Sequence, residues 1–385
     1  MRYESARLTG FSAVPGRTRR RGFDMSFFIL VIILLVMGVV MVLSSSYARA
    51  YYDPGNITGG NAAYYFLRQF LFAIFGVAAM LLAARLPMGI YRRFSFHFLG
   101  AVLILLALVP IIGVKANGAR RWLGVGGLTV QPSELAKLAV ILSFSALICR
   151  MRGRMKSFKY GILPFALILL LIVGLLVLEP HFSASIIILA IGAAMLFLGG
   201  VRIGWFAAAF GTVGAALAVL LTFFPYASSR INTWRDPFSS SSDEGYQIVQ
   251  SLYSIGSGGL SGLGLGGSRQ KFLYLPEEHN DFIFSVVCEE MGFIGAALIL
   301  ILFALLVLRG YWIALHSRDR YDFLVCAGLT TLLAIQVFLN VAVVTNLIPC
   351  TGISLPFFSY GGTALLIELF EMGVILSVSR DIVVI

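Results

Sequence analysis

The segment Lys271-Phe272-Leu273-Tyr274-Leu275-Pro276-Glu277-Glu278-His279-Asn280-Asp281-Phe282 places four ionisable groups within five residues, just where an apolar run resumes. Asp281 is the last of them. A carboxylate at that boundary is partly desolvated, which raises its pKa and makes it a stronger general base. The same position suits an N-cap, a common role for Asp before a helix. The residues alone leave both roles open.

Three other places hold polar residues at or near apolar runs. The first is Asn117-Gly118-Ala119-Arg120-Arg121-Trp122, followed by Gln131-Pro132-Ser133-Glu134 and Lys137. Pro132 fits the first turn of a helix, and Glu134 and Lys137 share one helix face. They read either as an ion pair locking helices together or as part of a site where Arg120, Arg121 and Lys137 receive an anion. The forked guanidinium of Arg suits a diphosphate. The second is Trp234-Arg235-Asp236-Pro237-Phe238. There Arg230 and Arg235 contact either an anionic substrate or lipid headgroups. The third runs from Asn346 to Gly362, with two prolines, three glycines, Ser359 and interleaved aromatics. Irregular backbone at membrane depth is tolerated only when buried in protein or lining a cavity.

The elements that position these groups are membrane spans. Of the 385 residues, 59% are hydrophobic and 12% charged, against about 25% charged in soluble domains. Ten apolar segments are long enough to cross a bilayer: 26–46, 65–84, 94–113, 132–149, 161–178, 183–200, 204–224, 283–308, 323–345 and 361–379. Pro180 in the short break Glu179-Pro180-His181 favours a turn between two helices over one kinked helix. With the N-terminus inside, the inner segments hold 19 of the 29 Lys and Arg residues and the outer loops 8. That is the bias expected of cytoplasmic loops.

The expected fold is therefore an all-α integral membrane protein of about ten transmembrane helices. A basic cytoplasmic tail, 1–24, precedes a single polytopic domain, 25–385. Both termini are cytoplasmic, and one long extracytoplasmic loop, 225–282, joins the seventh and eighth spans. Within it, 245–255 reads as an amphipathic helix at the membrane surface, with Tyr246, Val249, Leu252 and Tyr253 on one face. The glycine-rich stretch 256–267 has backbone freedom to wrap around something. No strand precedes it, so it is a poor phosphate cradle. The formal charge of +11 sits in short runs between spans, which points to membrane lipids rather than nucleic acid. Cys149, Cys288, Cys326 and Cys350 follow no metal or disulfide spacing. The first run follows a basic tail without a clear cleavage site, so it is expected to stay as an uncleaved span.

Three stretches carry a resemblance: NGARRW…QPSELAK, then GYQ through IGSGGLSGLGLG to YLPEEHNDFIF and EEMGF, then TGISLPFFSYGG. Together they resemble the successive signatures of the SEDS family (shape, elongation, division, sporulation). The match spans about 25–380. The NGARRW form and basic tail are more similar to its division and sporulation branch (FtsW, SpoVE) than to RodA. Two departures stand out. The usual QPDLGT is here Glu179-Pro180-His181-Phe182-Ser183-Ala184, and PEAHTD is here Pro276-Glu277-Glu278-His279-Asn280-Asp281. The final Asp is kept.

The resemblance implies a peptidoglycan glycosyltransferase of the bacterial cell membrane, polymerising lipid II in division or sporulation. Asp281 is the implied catalytic base. Arg120, Arg121, Glu134, Lys137, Arg235, Lys271, His279 and Ser359 are the expected substrate contacts. Mg²⁺ or Mn²⁺ at Asp281 is the expected cofactor, and a class B penicillin-binding protein the expected partner. Two rival readings are a lipid II flippase, which would use charged residues inside the spans such as Arg68, Lys137, Glu289 and Glu290, and a non-catalytic scaffold for the partner.

Overall fold

The structure is a computed structural model. It describes residues 18–19, 22–52, 58–116, 119–125, 128–208, 211, 232–239, 243–380 and 382–384. The expected span 204–224 lies mostly outside the described residues, as do most of the tail 1–24, Asn117, Gly118 and Arg230.

The helices are α1 (Met25–Tyr52), α2 (Tyr64–Arg85), α3 (Met88–Ile112), α4 (Pro132–Arg150), the single turn α5 (Phe158–Gly161), α6 (Leu163–Leu178), α7 (Phe182–Gly199), α8 (Asp243–Gly258), α9 (Ile283–Leu315), α10 (Arg320–Val344) and α11 (Gly362–Ser379). Among the described residues, nine helices are long and apolar enough to cross a membrane, α5 and α6 counting as one. Apolar side chains such as Leu71, Phe75 and Leu82 of α2 face outward, while Gln69 of the same helix is fully buried. That inversion is expected where the solvent is lipid.

Small residues let helices approach closely, as is common in bilayers. A methyl group on Gly373 of α11 would lie 2.4 Å from the Met80 carbonyl oxygen of α2, and one on Gly76 of α2 would lie 2.4 Å from Leu369 of α11. α4 is the most enclosed span, with 83% of its apolar stretch buried. It carries Glu134 and Lys137 into the interior.

The spans are all helical, and short strands occur only outside them among the described residues. Between α3 and α4 the chain forms an antiparallel meander of β2 (Val114–Ala116), β3 (Ala119–Val125) and β4 (Leu128–Val130). Val114 pairs with Trp122 and Leu123 with Val130. Apolar runs do not reveal this hairpin because its strands are short and carry charge. A second small pairing joins β1 (Thr18–Arg19) to β5 (Val383–Val384). Beside it, the Asp24 amide donates to Ser379 Oγ at 2.9 Å.

α9 is broken at Gly292, where φ is 66°. The glycine-rich stretch after α8 fills the break. The amides of Leu263 and Gly264 donate to the carbonyls of Glu289 and Glu290, and the amides of Phe293 and Ile294 donate to Gly259 and Leu260. The loop thus satisfies the exposed groups of both half-helices. What the glycines wrap around is another part of the chain.

α8 is amphipathic, and the face that carries Tyr246 and Tyr253 is turned away from the protein. Ile248, Ser251, Ser254 and Gly258 face the protein, while Tyr246 and Tyr253 are exposed. Ser251 donates to the Val344 carbonyl at 2.7 Å, and Ser254 to Glu289 Oε2 at 2.9 Å. Small polar groups bind the bundle, and the aromatic face is left for the interface.

Candidate active site

A polar cavity of about 390 Å³ opens between the hairpin, α2, α4, the α6–α7 turn and the loops before α9 and α11. Asp281, Arg121, Lys137, Arg68, His181 and Tyr360 line it.

Asp281 is placed by the two loops rather than by a helix end. α9 begins with Phe282 as its N-cap and no side-chain cap bond, so the Asp281 carboxylate does not close the helix. Asn340 of α10 donates to the Asp281 carbonyl at 2.8 Å and to the Ile353 carbonyl at 2.6 Å. One buried amide therefore pins the 271–282 loop to the 346–362 loop. Ser359 adds a second clamp: its hydroxyl donates to the Asn280 carbonyl at 2.8 Å and accepts from the Leu355 amide at 2.7 Å. The Tyr360 amide donates to the His279 carbonyl at 2.9 Å. Gln69 holds the far end of the same loop, donating to the Ser359 carbonyl and accepting from the Gly361 amide.

Burial, then the neighbouring charge of Glu277, push the Asp281 carboxyl up to about 6, against the opposing pull of Arg121 and His279. Such a group is ionised at neutral pH yet more basic than a surface aspartate.

The two arginines of the hairpin diverge because successive strand residues point to opposite faces. Arg121 lines the cavity and donates from Nη2 to the Pro180 carbonyl at 2.7 Å. Burial lowers its pKa, partly offset by Asp281 and Glu179. Arg120 turns away and donates to the carbonyls of Pro110 and Ile111 at the end of α3. On α4, Lys137 meets Glu134 at 2.6 Å, both deeply buried. The locking ion pair and the cavity lining are thus the same two residues.

Other expected substrate contacts lie away from the cavity wall. The Lys271 ammonium is buried against Glu290 at 2.9 Å and the Gly266 carbonyl at 2.7 Å. Glu290 also accepts from Ser44 of α1 at 2.7 Å. Glu289 accepts from Ser254, Ser268 and the Arg269 amide. The partner of Glu290 is therefore Lys271. His279 is buried beside Tyr65 and Tyr360, with ring centroids 4.7 and 5.7 Å away. Its Nδ1 lies 3.7 Å from Glu278, which Arg49 of α1 holds at 2.8 Å. Burial works to raise the Glu278 pKa, but His279 and Arg49 outweigh it and keep the group below its usual range. Arg235 is exposed in the helical turn 232–235. Its neighbour Trp234 is tied to the 346–362 loop by reciprocal bonds with Asn346, each 3.1 Å.

Several cavity groups were not singled out as substrate contacts from sequence. Arg68 reads from the sequence as a charge within a span, and an ionisable group there is a functional candidate by default. Outside the cavity lining, Glu368 and Glu371 of α11 carry the same signal. Both are buried, and their charges act on Lys137. His181 and Glu277 complete the wall. Burial, then the charges of Arg121 and Lys137, press the His181 imidazole down to about 3, so it is neutral.

Fold and cavity define a polytopic membrane protein with a charged, half-enclosed site at the ends of its helices. The sequence profile of the FtsW/RodA/SpoVE family, described as a cell cycle protein, matches residues 24–382, and the chain belongs to that family. Stage V sporulation protein E of Bacillus subtilis (strain 168) is 39% identical over 366 residues, covering 94% of this chain and 98% of that protein. The probable peptidoglycan glycosyltransferase FtsW of Trichlorobacter lovleyi is 38% identical over 363 residues, covering 94% of each. Among solved structures, a chain of a peptidoglycan synthase complex, described for its coordination of polymerization and crosslinking, superposes with a TM-score of 0.76 at 30% identity. It covers 93% of this chain and 98% of its own length. The rod shape determining protein RodA of Thermus thermophilus gives a TM-score of 0.68 at 30% identity, covering 93% of this chain and 97% of its own.

Proposed function

We propose that this protein is a peptidoglycan glycosyltransferase of the bacterial cell membrane that polymerises lipid II with Asp281 as general base. The observation that carries the reading is one cavity holding a half-buried, basic carboxylate together with Arg121, Lys137 and Arg68. The names of the FtsW relatives and of the synthase complex support the same activity.

In lipid II the sugar is α-linked to diphosphate, and the polymer is β-linked. A single inverting displacement connects them. Asp281 takes the proton from the acceptor's sugar hydroxyl, whose oxygen attacks the anomeric carbon. The bond from that carbon to the diphosphate oxygen breaks, and both its electrons leave with the diphosphate. Cations fixed in the cavity wall stabilise the charge that develops there, so a single carboxylate suffices for proton transfer. The forked Arg121 and the point charge of Lys137 are suited to oxygens at different places on the diphosphate.

Asp281 and Glu277 both line the cavity, and the charge of Glu277 acts on Asp281. Two carboxylates together with substrate phosphate oxygens are a donor set that Mg²⁺ or Mn²⁺ accepts. Among the described residues no group of three or more His, Cys, Asp or Glu converges on one point, so substrate oxygens would have to complete the shell. Bound there, the ion would add positive charge to the diphosphate site.

The reading includes ten spans, both termini in the cytoplasm and an outward-facing cavity. Parity supports it. The Asp24 amide meets Ser379, and β1 pairs with β5, so the two ends of the bundle share one face. Nine crossings would put them on opposite faces. The ten apolar segments read from the sequence, 204–224 among them, supply the even number of crossings that this arrangement needs. A class B penicillin-binding protein is the proposed partner, supported by the likeness to a chain of a synthase complex.

The test incubates purified protein with lipid II and a transpeptidase-dead partner, then resolves glycan ladders on a gel. Ladders are expected from the wild type. Their absence, with lipid II moved across vesicles instead, would favour transport.

A further inference from the structure

Glu179, Pro180 and His181 form the short turn between α6 and α7, beside the cavity residue Arg121. His181 lines the cavity. The Pro180 carbonyl accepts from Nη2 of Arg121 at 2.7 Å, while Nε of the same guanidinium is buried with no hydrogen-bond partner among the described residues. Glu179 is 1% exposed, and neither of its carboxyl oxygens has a hydrogen-bond partner among the described residues. A buried, unpartnered carboxyl is costly, and the turn sits where this chain replaces the usual family sequence.

The charged groups around the turn come from three elements. Arg121 of β3 acts on Glu179. Arg121 and Lys137 of α4 act on His181. Asp281, before α9, acts on Arg121 from the other side. Glu134 of α4 is engaged by Lys137. Among the described residues, Arg121 is the one cation whose charge acts on both Glu179 and Asp281.

We propose that Glu179 is a positioning residue that shares Arg121 with the diphosphate of the incoming substrate. The Pro180 carbonyl holds one nitrogen of the guanidinium against the turn. Glu179 sets how much of the remaining charge is available to an anion in the cavity. Uncharged, it leaves Arg121 to the diphosphate. Ionised, it competes for Arg121 and repels the diphosphate. Burial holds the Glu179 carboxyl up to about 8, with Arg121 pulling the other way. The change of state therefore falls just above neutral pH. The inference rests on the polymerase reading and deepens it.

The experiment measures KM and kcat for lipid II polymerisation from about pH 7 to pH 9, in wild type, Glu179→Gln and Glu179→Asp. In the wild type KM should rise about tenfold across that range, as one pH unit beyond the carboxyl's midpoint makes it mostly ionised. kcat should fall as well, since Arg121 also meets the charge that develops on the leaving diphosphate. Glu179→Gln should flatten the rise in KM to less than about twofold, and Glu179→Asp should restore it. Arg121→Lys should also lose the rise, and the double variant with Glu179→Gln should show no further change. A Gln variant that keeps the wild-type rise overturns the proposal, as does a wild type with flat KM. Thermal unfolding in detergent separates these outcomes from misfolding. If the wild type makes no glycan at any pH, the polymerase reading fails. If it does, and the variants track it, only this inference fails.

Discussion

A methyl group placed on Gly352 would lie 2.9 Å from Oδ2 of Asp281, and the backbone there has φ +61°. The 346–362 loop thus presses its bare backbone against the proposed base. Gly352→Ala should displace that carboxylate and strain the turn. Polymerisation is expected to fall by about tenfold or more, since a small misplacement of a reacting group is costly. Stability should drop by about 1 kcal/mol. Ladder assays and thermal unfolding check the two effects, and wild-type rates would mean that Gly352 does not set the position of Asp281.

Asp281→Asn should lose roughly 10²-fold or more in rate, as expected when a general base is removed. In the wild type the rate should decline as pH falls through about 6, because the protonated carboxyl cannot accept the sugar proton. The stability effect has the opposite sign. A carboxyl whose folded pKa is raised makes the fold less stable as pH rises from its ordinary value through the folded one. Asn avoids that cost, so the variant should unfold at a temperature no lower than the wild type at neutral pH. A destabilised, inactive Asn variant would leave the base assignment unsupported.

Lys271 and Glu290 form a buried pair at 2.9 Å. Lys271→Met alone strands the Glu290 charge and should cost about 3–5 kcal/mol, whereas the double change with Glu290→Leu should recover much of the loss. Membrane yield and thermal unfolding report this. A Lys271→Met protein of normal stability but raised KM for lipid II would instead make Lys271 a substrate contact.

Gly292 lets the glycine loop enter the break in α9. A methyl group there would fall 2.3 Å from the Gly262 nitrogen, and φ is +66°. Gly292→Ala is expected to cost about 2–3 kcal/mol through backbone strain and collision. It should loosen Lys271 and the Glu289 network with it. Faster hydrogen exchange in 259–271 than in the wild type is the measurement, and unchanged exchange counts against the plug.

Composition and periodicity carry most of the architecture. The apolar runs that became α1–α4, α6, α7 and α9–α11 are evident because lipid demands long, uninterrupted apolar stretches whatever their neighbours. Pro180 marked the break between α6 and α7 because it cannot continue a helix. Asp281 stood out for the same kind of local reason, as the last charge before an apolar run.

Pairing is a different matter. Nothing local tells Arg121 from Arg120; only the hairpin's alternation turns one toward the cavity and the other toward α3. Nothing local gives Lys271 to Glu290, 19 residues away, nor brings Gly352 against Asp281. Hydropathy marks the outward, aromatic face of α8, but nothing local says that Ser254 on its other face buries against Glu289. Spans follow from the cost of exposing peptide groups to lipid, which each segment bears alone. A site follows from which charges share a space, and that is settled only when the helices have packed.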